Sequence, residues 1–381
     1  MANILVIDDD PAVQMLLRRV LQSQGHTVIL ANNGEEGLQK AEEFLPALII
    51  CDWMMPGMDG LQVCQHIKTQ TQLSTTFFVL LTSRSSTEDR ILGLDTGADD
   101  FLTKPIVEIT ELQAKVRAGL RVYQLAKALQ AQTHRLESEL AEASEYVRSL
   151  LPSTMETPLH IDSCFVPSRE LGGDSFDYFW LNDEQLVLFL LDMSGHGLGA
   201  ALPSVYILNL LRSQSLNEVN FSQPDQVLTA LNRIFQMGEH GDKYFTIWYG
   251  VFNRYSRELT YGSAGHPPAL LLCPQGRGDR EPWIVQPLKT KGFPIGMFAQ
   301  AKYVSQVETL PPGSSLYIFS DGVYEILQSN GELWGLAGFT QLLQDLHQTQ
   351  QGNLPTVLQR LKDLKQDQAF EDDLSLVQAN F

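Results

Sequence analysis

Ile4-Leu5-Val6-Ile7-Asp8-Asp9-Asp10-Pro11 is the stretch that decides how the N-terminal third is read. Four apolar residues in a row, three of them β-branched, describe a short strand buried on both faces. Three aspartates follow at once, and Pro11 suits the first position of a helix. The same alternation repeats downstream. Strands are expected at 4–7, 27–31, 47–51, 77–81 and 100–103, with helices at 11–23, 34–44, 60–68, 87–96 and 108–119. Strands and helices in strict alternation predict an α/β domain with a doubly wound, five-stranded parallel sheet.

In such a sheet, ligands sit beyond the carboxyl ends of the strands. The conspicuous polar residues of this segment fall there: Asp8, Asp9 and Asp10 after the first strand, Asp52 after the third, Thr82 and Ser83 after the fourth, and Lys104 before Pro105 after the fifth. Capping of the next helix accounts for one aspartate. It leaves the other carboxylates, the hydroxyl and the lysine unexplained. Carboxylates at one sheet edge suit a hard cation, most simply Mg2+. With Lys104, that cation would neutralise a phosphoryl group and let an aspartate attack it.

These residues resemble the receiver domain of response regulators over about residues 1–121. The resemblance makes Asp8-Asp9 the acidic pair, Asp52 the phosphoacceptor, Thr82 the switch hydroxyl, Phe101 the switch aromatic and Lys104-Pro105 the lysine–proline step. It implies a sensor histidine kinase as phosphodonor, Mg2+ held by Asp9, Asp52 and the Met54 carbonyl with Asp8 beside them, and a cis Lys104–Pro105 bond.

Residues 122–151 contain neither glycine nor proline before Pro152, and Val122, Leu129, Leu136, Ala143 and Leu150 recur every seven residues. Leu125, Ala126, Leu140, Tyr146 and Val147 partly fill a second seam, which Gln132 and Glu139 interrupt. The pattern predicts a helical linker continuous with the preceding helix, either a short parallel coiled coil that makes the chain a homodimer or a single helix packed on one of its own domains; the heptad favours the coiled coil.

Beyond Pro152 the pattern changes to longer strands followed by grouped helices near 199–214, 224–238, 338–349 and 354–367, an α+β domain over 152–381. Four acidic motifs punctuate it: Gly172-Gly173-Asp174-Ser175-Phe176-Asp177, Asp192-Met193-Ser194-Gly195-His196-Gly197, Ser320-Asp321-Gly322-Val323 and Glu371-Asp372-Asp373-Leu374-Ser375. Aspartate beside glycine at a strand end suits a metal cradle, because glycine lets backbone carbonyls approach an ion. Several carboxylates without cysteine ligands favour Mg2+ or Mn2+ over zinc. Two such ions could activate a water for in-line attack on a phosphate ester.

Jointly the four motifs resemble the PPM metal-dependent protein phosphatases, in the branch typified by SpoIIE, whose domain is an α-β-β-α sandwich. Leu150-Leu151-Pro152, Ala200-Ala201-Leu202 and Ala264-Gly265-His266-Pro267-Pro268 add to the likeness. The resemblance implies that Asp192 bridges two metals with help from the Met193 carbonyl, that Asp174 serves the second metal and Asp321 and Asp372 the first, and that Asp373 is a neighbour. Asp192 and Asp321 are then the catalytic centre. Asp177, His196 and His266 take structural roles, and Arg169 could contact the phosphate. The substrate implied is a phosphoserine or phosphothreonine protein of anti-anti-sigma (STAS) type.

Two other readings were weighed. Gly172–Phe176 echoes the GGDEF motif of diguanylate cyclases, but Ser175 stands where a cyclase needs glutamate and the other aspartate motifs would have no role. The alternative is a phosphorylation-controlled, non-catalytic adaptor whose phosphatase-like domain has lost its metals; here all four aspartate positions are intact.

Bulk properties agree with two globular domains: 381 residues, 44% hydrophobic and 19% charged. No apolar run approaches a bilayer span, and Met1-Ala2-Asn3 leads into a strand without a basic leader, so a cytoplasmic protein with no membrane partner is expected. A formal charge of −18 opposes nucleic-acid binding. Cys51, Cys64, Cys164 and Cys273 lack paired spacing and read as unlinked thiols.

Overall fold

A computed structural model describes residues 1–83, 87–168, 171–239, 242–275, 283–328, 331–365 and 370–381. The chain divides into two compact units, Met1–Glu137 and Ser138–Phe381.

In the first unit, strands β1 (Asn3–Ile7), β2 (Thr27–Ala31), β3 (Leu48–Asp52), β4 (Phe77–Thr82) and β5 (Asp100–Thr103) form a parallel sheet in the order β2-β1-β3-β4-β5. Helices α1 (Pro11–Ser23), α2 (Gly34–Phe44), α3 (Gly60–Thr69) and α4 (Thr87–Asp95) connect them. Strand alternation sorts the apolar residues: Ile4 and Val6 join one core with Leu17 of α1, while Leu5 and Ile7 join the other with Val63 and Ile67 of α3. The order reverses between β1 and β3, so the crevice at their carboxyl ends lies beside Asp8 and Asp52.

Asp10 is the N-cap of α1, its side chain accepting the Ala12 N–H at 2.8 Å. That settles which of the three aspartates caps the helix, and leaves Asp8 and Asp9 to the crevice. The expected helix at 108–119 and the linker are one element, α5 (Ile109–Ser149), of 41 residues. Leu112, Val116 and Leu120 bury its first turns in the receiver core. Further along, Val122, Leu125, Leu129, Leu136 and Tyr146 are at least half exposed. Leu150, the last residue of the expected seam, instead packs against the core of the second unit.

In the second unit two five-stranded sheets face each other. One runs β13 (Gln306–Thr309), β10 (Glu258–Ala264), β9 (Phe245–Asn253), β8 (Gln185–Met193), β7 (Ser175–Trp180). The other runs β12 (Trp283–Leu288), β11 (Ala269–Pro274), β14 (Ser315–Phe319), β15 (Leu374–Asn380), β6 (His160–Val166). The pairings within both are antiparallel.

Alternation again assigns the layers. In β8, Leu186, Leu188 and Leu190 enter the core between the sheets with Leu316, Ile318 and Val377. Val187, Phe189, Leu191 and Met193 face the outer layer of α6 (Leu198–Arg212) and α7 (Pro224–Ile234). On the far side, Tyr317, Phe319 and Leu376 meet α8 (Gly335–Gln348) and α9 (Leu354–Lys365). The result is an α-β-β-α sandwich. The helix expected over 224–238 stops at Ile234, because Phe235 adopts an extended backbone (φ −123°, ψ 100°) and sets its ring edge-on to Phe245 at 5.1 Å.

Because Leu188 lies fully buried between the sheets, Leu188→Ala should destabilise the C-terminal unit by about 2–5 kcal/mol. Urea unfolding followed by tryptophan fluorescence, which reads Trp180 and Trp248 of that unit, checks the shift.

Candidate functional site

The strand ends of the first unit converge on a small acidic crevice. Asp8 is fully buried and Asp52 nearly so, whereas Asp9 is exposed. Carboxylate oxygens of Asp8, Asp9 and Asp52 lie within 4.8 Å of one another, a set that could hold a divalent ion. The Lys104 ammonium spans the crevice, 2.8 Å from Asp8 Oδ2 and 2.8 Å from Asp52 Oδ2. Burial raises the Asp8 pKa and the bond from Lys104 only partly offsets it. Burial opposes the charge on Lys104, but its bonds to Asp52 and Asp8 outweigh that and raise its pKa. The lysine is therefore a fixed cation within reach of any group placed on Asp52.

Thr82 closes β4 and is buried; Phe101 of β5 is half-buried, with Lys115 Nζ 5.2 Å from its ring centre. Met54 follows Asp52 and Trp53 with an exposed side chain. The Lys104–Pro105 bond is cis. Gln14 was missed in the sequence reading. Its amide donates to the Asp8 carbonyl at 2.6 Å and the Ala31 carbonyl at 3.1 Å, tying α1 to both strand ends. The available signal was a polar residue in register with buried Leu17 and Leu21 on the core face of α1.

In the second unit the four motifs meet at one end of the sandwich. Asp192 continues the parity of Leu186, Leu188 and Leu190, so it leaves β8 at the rim of the inter-sheet core. Asp174 immediately precedes β7, Asp321 follows β14 by two residues, and Asp372-Asp373 precede β15. Their electrostatics record the convergence. Burial, then the neighbouring charges of Asp192 and Asp373, pushes the Asp174 pKa well up. Burial, then Asp321, Asp372 and Asp373, pushes Asp192 up to about 7. Burial, then Asp372 and Glu325, pushes Asp321 up to about 6. Asp174 Oδ2 is buried without a hydrogen-bond partner. An orphaned carboxylate oxygen among mutually repelling carboxylates is what a cation-binding centre presents before it is filled.

Asp373 has a different place. Its carboxylate accepts from Ser168 N at 2.9 Å, Ser168 Oγ at 3.1 Å and Gly173 N at 2.6 Å, clamping the first motif to the fourth. Gly172 is required there, because a Cβ would collide with that carboxylate. Ser320, also missed, donates to the Asp373 carbonyl at 3.0 Å and accepts from Ser375 N at 3.0 Å.

His266 is buried, bonded through Nδ1 to Thr246 Oγ1 at 2.7 Å, and held down to a pKa of about 3 by burial. A neutral imidazole locked beside β9 is structural. His196 is exposed in its glycine turn. Asp177 is buried in an ion pair with Arg212, 2.6 Å from Nε. Arg169 lies outside the described residues.

The family model for Stage II sporulation protein E (SpoIIE) matches residues 182–381, just over half the chain. The chain belongs to the SpoIIE family. A second family model, the response regulator receiver domain, matches residues 4–117. Transcriptional regulatory protein AfsQ1 of Streptomyces coelicolor is 43% identical over 121 residues, 32% of this chain and 52% of that protein. The alkaline phosphatase synthesis transcriptional regulatory protein PhoP of Bacillus subtilis is 41% identical over 124 residues, 32% of this chain and 50% of that protein. The chain thus spans about half the length of these curated relatives, through its receiver part. Among solved structures, the SiaA PP2C domain of Pseudomonas aeruginosa superposes with a TM-score of 0.55 at 20% identity, covering 66% of this chain and 99% of that one. It shares the fold. Receiver and PPM phosphatase families use divalent metals such as Mg2+ or Mn2+; Asp8, Asp9 and Asp52 are close enough together to hold one, and in the second unit the buried, unpartnered Asp174 Oδ2 is chemically suited to one.

With Lys104 between Asp8 and Asp52, a small-molecule phosphodonor such as acetyl phosphate with Mg2+ should label the wild-type chain, and Asp52→Ala should take up no label. Phosphoprotein gel mobility or intact mass reads the result; equal labelling of both would move the acceptor elsewhere.

Proposed function

We propose that a sensor histidine kinase phosphorylates Asp52 in a receiver domain spanning 1–121, and that this controls a phosphoserine/phosphothreonine phosphatase domain spanning 152–381 through the helical linker at 122–151. Asp9, Asp52 and the Met54 carbonyl hold Mg2+, with Asp8 beside them. In the phosphatase centre Asp192 and the Met193 carbonyl would hold two Mn2+ or Mg2+ ions, with Asp174 serving one and Asp321 and Asp372 the other. Asp373 holds the first motif in place. Ions bound there supply a Lewis acid for the phosphoryl oxygens and lower the pKa of a water. The chain's own part is to keep these carboxylates on rigid strand ends, so that their geometry is set before substrate arrives.

One observation carries the reading: buried Asp174, with an unpartnered oxygen, pressed against the charges of Asp192 and Asp373. A packed core would not keep such a group without a cation to receive. An adaptor has no need of it, and the retention of all four aspartate positions favours catalysis over the adaptor. The substrate class in this reading, an anti-anti-sigma (STAS) phosphoprotein, is taken by analogy from the SpoIIE family. The exposed apolar seam of α5 supports a parallel coiled-coil dimer.

Mn2+-dependent hydrolysis of p-nitrophenyl phosphate should fall at least about a hundredfold in Asp192→Asn and in Asp321→Asn, the scale of losing a direct participant. Wild-type inactivity in Mn2+ would instead leave the adaptor. Light scattering should give a dimer mass that Leu125→Glu/Leu129→Glu converts to monomer; a monomeric wild type in both phosphorylation states would remove the coiled coil.

A further inference from the structure

Residues that follow the linker helix are gripped by β7, the strand that begins one residue after Asp174. Asp177 of β7 is buried and accepts from Arg212 Nε at 2.6 Å. The same guanidinium donates through Nη2 to the Leu150 carbonyl at 2.9 Å. That carbonyl lies one residue beyond α5, where a helix end leaves acceptors without intrahelical partners. The next residue of β7, Tyr178, donates its hydroxyl to the Ser153 carbonyl at 2.8 Å. Adjacent residues of a strand point to opposite faces, so residues 150–153 are held from both sides of β7.

Arg212 is also the last residue of α6, and the other end of that helix packs on the metal motifs. Gly197, its N-cap, donates its N–H to the Leu171 carbonyl at 3.1 Å. Ala200 of its first turn stands against Gly173, close enough that a Cβ on Gly173 would lie 3.1 Å from the alanine methyl and 2.7 Å from the Met193 carbonyl. Midway, Ser175 Oγ bonds Ser204 Oγ at 3.3 Å. A 15-residue helix spans about 22 Å, and Pro203 in its interior leaves one backbone bond unmade without ending it. It touches the first and second acidic motifs at one end and the linker exit at the other.

The geometry points to Arg212 as the positioning residue that couples the linker to the metal centre: its fork joins the Leu150 carbonyl to Asp177, and through β7 and α6 sets the placement of Asp174 and Asp192. This rests on the reading that Asp52 controls the phosphatase, and it names the joint by which that control is passed. A change in the angle of the linker pulls on β7 and α6 together, whereas the cores beneath them stay packed. Arginine is required by its geometry. Two separate nitrogens of its fork, Nε and Nη2, serve Asp177 and the Leu150 carbonyl, whereas lysine offers one nitrogen and no fixed fork.

The test uses the full chain with Mn2+ and p-nitrophenyl phosphate, comparing turnover with and without beryllofluoride, a phosphoryl mimic, on Asp52. In wild type the two rates differ. In Arg212→Lys their ratio should collapse to about one, with thermal unfolding within about 3 °C of wild type, the shift that about 1 kcal/mol produces in a domain of this size. A merely structural arginine would lower both rates and leave the ratio, and a wild-type ratio in Arg212→Lys overturns the coupling role. Should that variant not fold, Tyr178→Phe, which removes the grip on Ser153 together with a 3.3 Å contact to Ser163 Oγ, must lower the ratio, and Ser163→Ala, which removes only the latter, must keep it; an unchanged ratio in Tyr178→Phe overturns the proposal equally. A wild type indifferent to beryllofluoride overturns the control by Asp52 itself, a result distinct from loss of the joint.

Discussion

Like charges forced together at the ends of strands are the constraint on which both units are built. Two carboxylates about 4 Å apart repel by about 4 kcal/mol at the effective dielectric of a protein surface. A fold must therefore supply a cation or hold protons there. The first unit supplies one internally: Lys104 bridges Asp8 and Asp52. In the second unit, among the described residues, no lysine or arginine pairs with Asp174, Asp192 or Asp321. Their pKa values rise instead. One crevice carries its own counter-ion; the other is an acidic cradle in which burial and neighbouring carboxylates hold the acids up.

Packing is what holds the repelling groups in place. The carboxylates of the second unit stand at the ends of strands from both sheets, and Leu188, Ile318 and Val377 keep those sheets in register between two further helical layers. Polar ties then fix the motifs on one another. Asp373 fastens residues 168 and 173, and Ser320 fastens the third motif to the fourth. These bonds explain why one member of the Asp372-Asp373 pair is buried and fully engaged while Asp372 is exposed.

Much of this was legible from residue pattern. Apolar runs of strand length followed by aspartate announce the strand ends in both units, and the receiver elements lie where the alternation puts them, within a residue or two. The long linker was legible from the absence of glycine and proline. Its heptad was over-read at one point: Leu150 satisfies the repeat but is buried in the sandwich, since the helix has ended at Ser149. Periodicity records spacing, and cannot tell which apolar surface a residue at the end of a helix will reach first.

The sequence by itself determined where the strands end and which carboxylates stand at those ends, because alternation and strand length are local properties. Only the tertiary structure decided that Asp10 is a cap while Asp8 and Asp9 remain in the crevice, that Asp373 is a clamp, and that Arg212 joins Leu150 to Asp177. Apart from the Asp10 cap, whose bond to Ala12 is local, those assignments depend on contacts between residues far apart in the chain, up to 205 positions for Ser168 and Asp373. No local pattern encodes a hydrogen bond across that separation; it exists only once the sheets have brought the two ends together.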